Sequence, residues 1–177
     1  MNTLTRLLLM PAIYAACAGT AFADVASTRQ GLHQWPAFGG KLYMVAGTNV
    51  DVLHYRRTMT FYFQEKSGGD WNMVPVSDGP DSLSEQWNHV VRGETTVRDG
   101  FVAARGDDVF LIEAALDDKS GGVDATWYRL VTDDPAYADG PWVVLKRVAR
   151  VPYPRGSTVE AVLKKEAAVP PAQRSKP

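Results

Sequence analysis

Within this 177-residue sequence, the cluster best suited to hold a small molecule is Trp87-Asn88-His89 followed by Arg92. An aromatic face, hydrogen-bonding groups and a cation lie within six positions, the mixture that small anionic ligands use. Trp87, His89 and Arg92 are therefore the candidate ligand-binding residues. The structural reading beside this one is a loop tryptophan covering a sheet edge. Of the other tryptophans, Trp71, Trp127 and Trp142 fall in strand-like runs and are expected in the core. Trp35, like Trp87, falls in an irregular segment, where an aromatic marks a docking surface or a local plug.

Other chemistries find less support. Metal ligation by histidine needs closely spaced partners, and His33, His54 and His89 lie far apart. The doublets Asp107-Asp108, Asp117-Asp118 and Asp133-Asp134 resemble calcium ligands, but they adjoin Gly, Ser or Pro and read as turn residues. No metal and no cofactor is expected. There is no Gly-x-Ser-x-Gly elbow to expose a nucleophilic serine, and Gly39-Gly40, Gly68-Gly69 and Gly121-Gly122 sit in turns rather than at a helix start where phosphate binds. A hydrolase with a dispersed site would have to use His89 as its base. The reading preferred here is a binding protein without covalent chemistry.

The N-terminus sets the compartment. Arg6 precedes an almost unbroken apolar run, Leu7–Ala18, and Ala21-Phe22-Ala23 offers the small-x-small pattern of a signal peptidase site. Residues 1–23 read as a secretory signal peptide cleaved between Ala23 and Asp24, which implies a periplasmic protein. A membrane anchor fits less well, because a bilayer core needs roughly 20 apolar residues and Pro11, Gly19 and Thr20 interrupt the run. Lipidation at Cys17 would call for a Leu-like residue where Tyr14 stands. Cys17 is the only cysteine, so cleavage leaves a chain that relies on its apolar core rather than on disulfides.

The elements that must position these residues are mainly strands. In Thr58–Phe63 the odd positions are large and apolar and the even ones carry hydroxyls, which puts Met59, Phe61 and Phe63 on one buried face. Ser67–Asp70 then separates this strand from Trp71–Val76 as a hairpin. Ser77–Ser84 reads as loop. Glu94–Val102 and Val109–Leu116 form a second hairpin, and the second of these, nearly all apolar apart from Glu113, belongs at the centre of the sheet. Asp124–Thr132 and Trp142–Val151 complete a set of strands that can all be joined antiparallel. The helix signal is confined to the C-terminus, where Ser157-Thr158-Val159-Glu160 is a capping box and Val159, Val162 and Leu163 share one face. The expected fold is mainly β (α+β), an antiparallel sheet or sandwich with one C-terminal helix packed against it. It forms a single domain over residues 24–168, and residues 169–177 form a disordered tail.

The net charge of -1 gives no pull towards nucleic acid or anionic membrane, though the charge is uneven. Ser77–Asp124 holds eleven acidic residues against four basic ones, and Lys146–Pro177 holds eight basic against two acidic. These read as two solvated faces, or as a basic C-terminal contact surface. The partners expected are a small molecule or an envelope protein, without nucleic acid and without a transmembrane anchor in the mature chain.

Three phrases add a resemblance: Thr58–Phe63, then Gly69-Asp70-Trp71-Asn72-Met73-Val74-Pro75-Val76, then Ala125-Thr126-Trp127-Tyr128-Arg129-Leu130. With Tyr153 ahead of the capped helix, the order resembles the periplasmic carbapenem self-resistance (CarG-like) family over residues 50–168. Family members carry an Asn-Gly-Asp-type loop where this chain reads Ala46-Gly47-Thr48-Asn49-Val50-Asp51, so no cation role and no individual residue is carried over. The resemblance implies a non-hydrolytic periplasmic protein that protects against a β-lactam by binding the drug or a partner. The alternative is an envelope interaction protein, such as an accessory of a secretion or conjugation apparatus.

Overall fold

The computed structural model describes residues 24–27, 30–50, 55–66 and 68–174. Residues 1–23, where a signal peptide is expected, His54 and residues 175–177 lie outside them. Among the described residues twelve strands form one sheet: β1 (Asp24–Ser27), β2 (Gly31–Ala37), β3 (Gly40–Val50), β4 (Tyr55–Gln64), β5 (Asn72–Val74), β6 (Val76–Gly79), β7 (Ser82–Ser84), β8 (Trp87–Arg92), β9 (Thr95–Arg105), β10 (Asp108–Asp117), β11 (Gly122–Thr132) and β12 (Val143–Tyr153). One helix, α1 (Val159–Glu166), follows. The mainly antiparallel sheet with a C-terminal helix against it is as expected.

Local pattern accounts for most pairings. Met59, Phe61 and Phe63 are buried, and β4 pairs with β5 as the predicted hairpin. In the tight turn between β2 and β3, Phe38 and Gly39 both have positive φ, 49° and 73°, which is the requirement of a two-residue type I′ connection. β10 lies between β9 and β11 at the middle of the sheet. Both its faces are covered, which is why its sequence does not alternate.

One segment departs from expectation. Ser77–Ser84 is not loop but the short hairpin β6–β7, and β6 runs parallel to β12, with Val76 opposite Leu145 and Ser77 opposite Lys146. The sheet is thus not wholly antiparallel. Only Pro75 separates β5, which is bonded to β4, from β6, which is bonded to β12, and the Pro75 carbonyl accepts from Leu145 N at 2.9 Å. This stretch brings two distant regions of the sheet together around one interior, packed by Leu42, Met44, Phe61, Phe63, Trp87, Leu111, Leu130 and Leu145. The partner strand lies about 70 residues away, so no local signal marks it.

The tryptophans are sorted differently from expectation. Trp127 is buried and Trp142 partly so, whereas Trp71, expected in the core, is 46% exposed. Trp35 and Trp87, expected in irregular segments, lie in β2 and β8 and are buried.

The outer face of β9–β11 carries Phe101, Phe110, Ile112, Ala125 and Trp127, covered by Val159, Val162, Leu163 and Val169. Eight residues of helix are too few to be stable alone. Burial of Val159 and Val162, about 1.5–3 kcal/mol each, holds α1 in place. The helix cap is Thr158, whose Oγ1 accepts from Ala161 N at 3.2 Å; Ser157, the expected cap, instead closes a turn by donating its backbone N–H to the Pro154 carbonyl. The chain beyond residue 168, expected to be a disordered tail, is placed as far as Arg174. Pro171–Gln173 forms a 3-10 turn, and Arg174 meets Glu166 at 2.8 Å. No helix among the described residues is long and apolar enough to cross a membrane.

Candidate functional site

The three residues singled out in sequence are not brought together on one surface. Trp87 is 1% exposed, opposite Met59 of β4, and its indole N–H donates to a Glu113 carboxylate oxygen while the Arg98 guanidinium lies 5.2 Å from the ring centroid. Its faces are taken up by protein, so it offers no ligand a stacking surface. His89 is 8% exposed, and its Nδ1 has no hydrogen-bond partner among the described residues. Burial pulls its pKa below the ordinary value; Arg57 adds to the shift, and Asp99 and Glu160 oppose it. Arg92 is exposed and lies 3.3 Å from Asp118.

The interior instead opens into a polar groove of about 190 Å³ where the apolar row on β10 ends. Along one face of that strand Val109 and Leu111 give way to Glu113, Ala115 and Asp117, and the facing positions of β11 are Tyr128, Thr126 and Asp124. β12 supplies Arg147 and Arg150. Three apart on a regular strand they would point to opposite faces, but a bulge intervenes: Arg147 pairs with Tyr128, Ala149 with Trp127 and Arg150 with Thr126. The extra residue, Val148, shifts the alternation and brings both guanidiniums to the groove.

Each charge in the groove is partnered. Arg150 donates to Asp124 Oδ2 through Nε and Nη2 at 3.1 and 2.5 Å. Asp78 on β6 accepts from Arg147 at 3.0 Å and from the Tyr128 hydroxyl at 3.3 Å. Glu113 accepts from Arg98 Nε and Nη2 at 2.9 and 2.5 Å besides Trp87. Burial, then the Glu113 and Asp78 carboxylates, push the Tyr128 phenol well above its ordinary value, so it remains a protonated donor. Exposed ion pairs such as Arg147–Asp78 contribute about 1 kcal/mol or less and can exchange an internal carboxylate for an incoming one. The arrangement suits a small molecule bearing a carboxylate and a second acceptor.

One member of each acidic doublet serves a turn. Asp117 accepts from Lys119 N and Ser120 N at 3.1 and 3.2 Å, and Asp107 from Phe38 N at 2.8 Å. Asp134 accepts from Ala136 N at 2.9 Å and Lys146 Nζ at 2.6 Å. Among the described residues no group of three or more His, Cys, Asp or Glu could hold a metal. The Ser84 hydroxyl donates to the Gln86 carbonyl, and that of buried Ser77 meets the Tyr137 hydroxyl.

Glu113 carried a sequence signal, as the one charge inside an apolar strand. Arg147 and Arg150 carried none, because their common face depends on the bulge.

Superposition on solved structures brings one strong match, at a TM-score of 0.65 over 86% of this chain and 99% of the other. The fold is CarG-like. Identity to CarG is 18%, so the likeness is one of backbone architecture. No protein-family model matches this sequence, and no curated protein matches it significantly.

Proposed function

We propose that this chain is an exported periplasmic protein that protects against a β-lactam, in the first instance a carbapenem, by binding it without covalent chemistry. The observation that carries the reading is the backbone shared with CarG over nearly all of that protein's length. The groove supports it chemically. β-Lactam drugs present a carboxylate beside a strained carbonyl; Arg147 and Arg150 supply charge-assisted donors for the first, and the protonated Tyr128 hydroxyl is a neutral donor for the second. The apolar run before Ala21-Phe22-Ala23 supports export.

The reading is tested by the susceptibility of deletion and overexpression strains to a β-lactam panel, alongside calorimetric titration of the purified protein. We expect deletion to sensitise cells to at least one carbapenem, measurable binding, and hydrolysis no faster than in buffer. Unchanged susceptibility across the panel removes the resistance reading, and hydrolysis that vanishes in His89→Ala replaces binding with catalysis. Mass spectrometry of the exported protein should find Asp24 at its N-terminus.

A further inference from the structure

The outer face of the β2–β5 region carries an aromatic platform that the groove does not use. Tyr43 of β3 lies opposite Tyr62 of β4, and Trp71, from the loop before β5, is laid flat on Tyr43, with ring centroids 4.3 Å apart and planes 16° apart. One face of the indole is thus covered by Tyr43, the Tyr62 ring lies tilted against it with centroids 5.8 Å apart, and the residue is left 46% exposed. Met73, two residues on, is also exposed.

The ring is held in place rather than lying loosely. The Gln64 side chain donates to the Gly69 carbonyl at 2.7 Å and accepts from the Tyr43 hydroxyl at 3.2 Å, tying the loop to the tyrosine beneath the indole. An indole fixed and half-exposed forgoes part of its hydrophobic gain but costs a ligand little ordering entropy. Beside it lies a shallow cleft of about 110 Å³ where Gly40, Lys41, Gln64 and Lys66 present polar groups. The close approach there requires glycine: a Cβ on Gly40 would lie 2.3 Å from the Gln64 carbonyl oxygen.

We infer that Trp71 on Tyr43, with Lys41, Gln64 and Lys66, forms a binding site for the pyranose ring of a glycan. The polarised C–H bonds on one face of a sugar match the negative face of the indole, and its hydroxyls match the amide and ammonium groups alongside. Charge selects among flat ligands. Lys41 and Lys66 oppose an organic cation, while exposed Glu65 and Asp70 offset them and oppose a polyanion, leaving a neutral polyhydroxylated ring as the complement. The site lies apart from the β-lactam groove and does not depend on that assignment.

The test titrates the purified protein with chitotetraose, cellotetraose, maltotetraose and octathymidylate, followed by calorimetry and tryptophan fluorescence, with sedimentation as a check on self-association. At least one tetrasaccharide should bind, and Trp71→Ala should weaken it about tenfold or more, the loss of about 1.4 kcal/mol. Trp71→Phe should retain part of the affinity with an unchanged thermal midpoint, which separates a lost contact from a lost fold. The proposal is overturned if no tetrasaccharide binds, if Trp71→Ala binds as well as wild type, if octathymidylate alone binds, or if the ring instead sustains a dimer that Trp71→Ala dissolves.

Discussion

The indole N–H of Trp127, in the central part of the sheet, donates to Glu166 Oε2 at 2.7 Å, in the last turn of the C-terminal helix. Glu166 is fully buried and also accepts from the Tyr153 hydroxyl at 2.5 Å and from Arg174 at 2.8 and 3.1 Å. Sheet, helix and final turn thus meet on one carboxylate, and a buried carboxylate with these donors is tolerated because its lone pairs are used. Burial and this bond push the Tyr153 phenol up to about 12.

Glu166 should make the fold sensitive to acid. Burial acts to raise its pKa, but the bonds from Arg174, Tyr153 and Trp127 outweigh it, and the pKa lies below the ordinary 4.5. A carboxylate whose folded pKa is depressed contributes stability that is present above the unfolded value and lost as pH falls through the folded one. Glu166→Gln should lower stability at pH 7 by about 1.5–3 kcal/mol and flatten the loss below pH 4.5, as read from thermal midpoints. A variant as stable as wild type would mean the carboxylate is not the anchor.

His89 predicts a step at higher pH. Its pKa is depressed from 6.5, chiefly by burial; the unfolded chain therefore binds the proton more readily, and stability falls as pH drops below 6.5. His89→Gln should remove the part of the decline that lies between pH 6.5 and the carboxylate range, while leaving the step below 4.5 in place. An identical pH profile in the variant would contradict this.

Gly100 should not tolerate a side chain. A Cβ there would lie 2.7 Å from the Ile112 carbonyl oxygen and 3.0 Å from Trp87 Cζ2. Gly100→Ala should cost about 1–3 kcal/mol by overpacking, measurable by urea unfolding, with a shift in the emission of the displaced Trp87. A neutral substitution would show that Trp87 is packed less closely than described.

Phe61 and Trp71 test the sheet's two faces. Phe61 is 1% exposed, and Phe61→Ala should cost about 3–5 kcal/mol. Trp71→Ala, on the solvent side, should cost about 1.5 kcal/mol or less, the worth of its stacking on Tyr43. Equal costs in chemical denaturation would mean that the face assignment is wrong.

On the proposed function, Arg147→Met and Tyr128→Phe in the groove should each weaken carbapenem binding about tenfold, the scale of one charge-assisted or well-placed hydrogen bond. Calorimetry against the same drug reads this directly. Unchanged affinity in both variants would move the drug site elsewhere while leaving the fold comparison intact.

By itself the sequence determined what depends on near neighbours. Period-two alternation placed Met59, Phe61 and Phe63 on one face, turn residues marked the hairpins, and the lone helix was announced by a cap within one residue of its true position. An apolar run broken only by Glu113 announced a strand covered on both sides. Tertiary structure decided what depends on distant partners. Alternation tells that a strand has two faces, but whether Trp71 or Trp87 meets water is decided by what packs over each. For Trp71 the cover is Tyr43 with Tyr62 at a tilt beside it; for Trp87 it is Met59, Gly100, Glu113 and Arg98, drawn from three other strands. The parallel contact of β6 with β12 is likewise decided at long range. A one-residue bulge in β12 reverses the alternation beyond it, and so turns Arg147 and Arg150, which in sequence read as opposite faces, into one pair at the mouth of the groove.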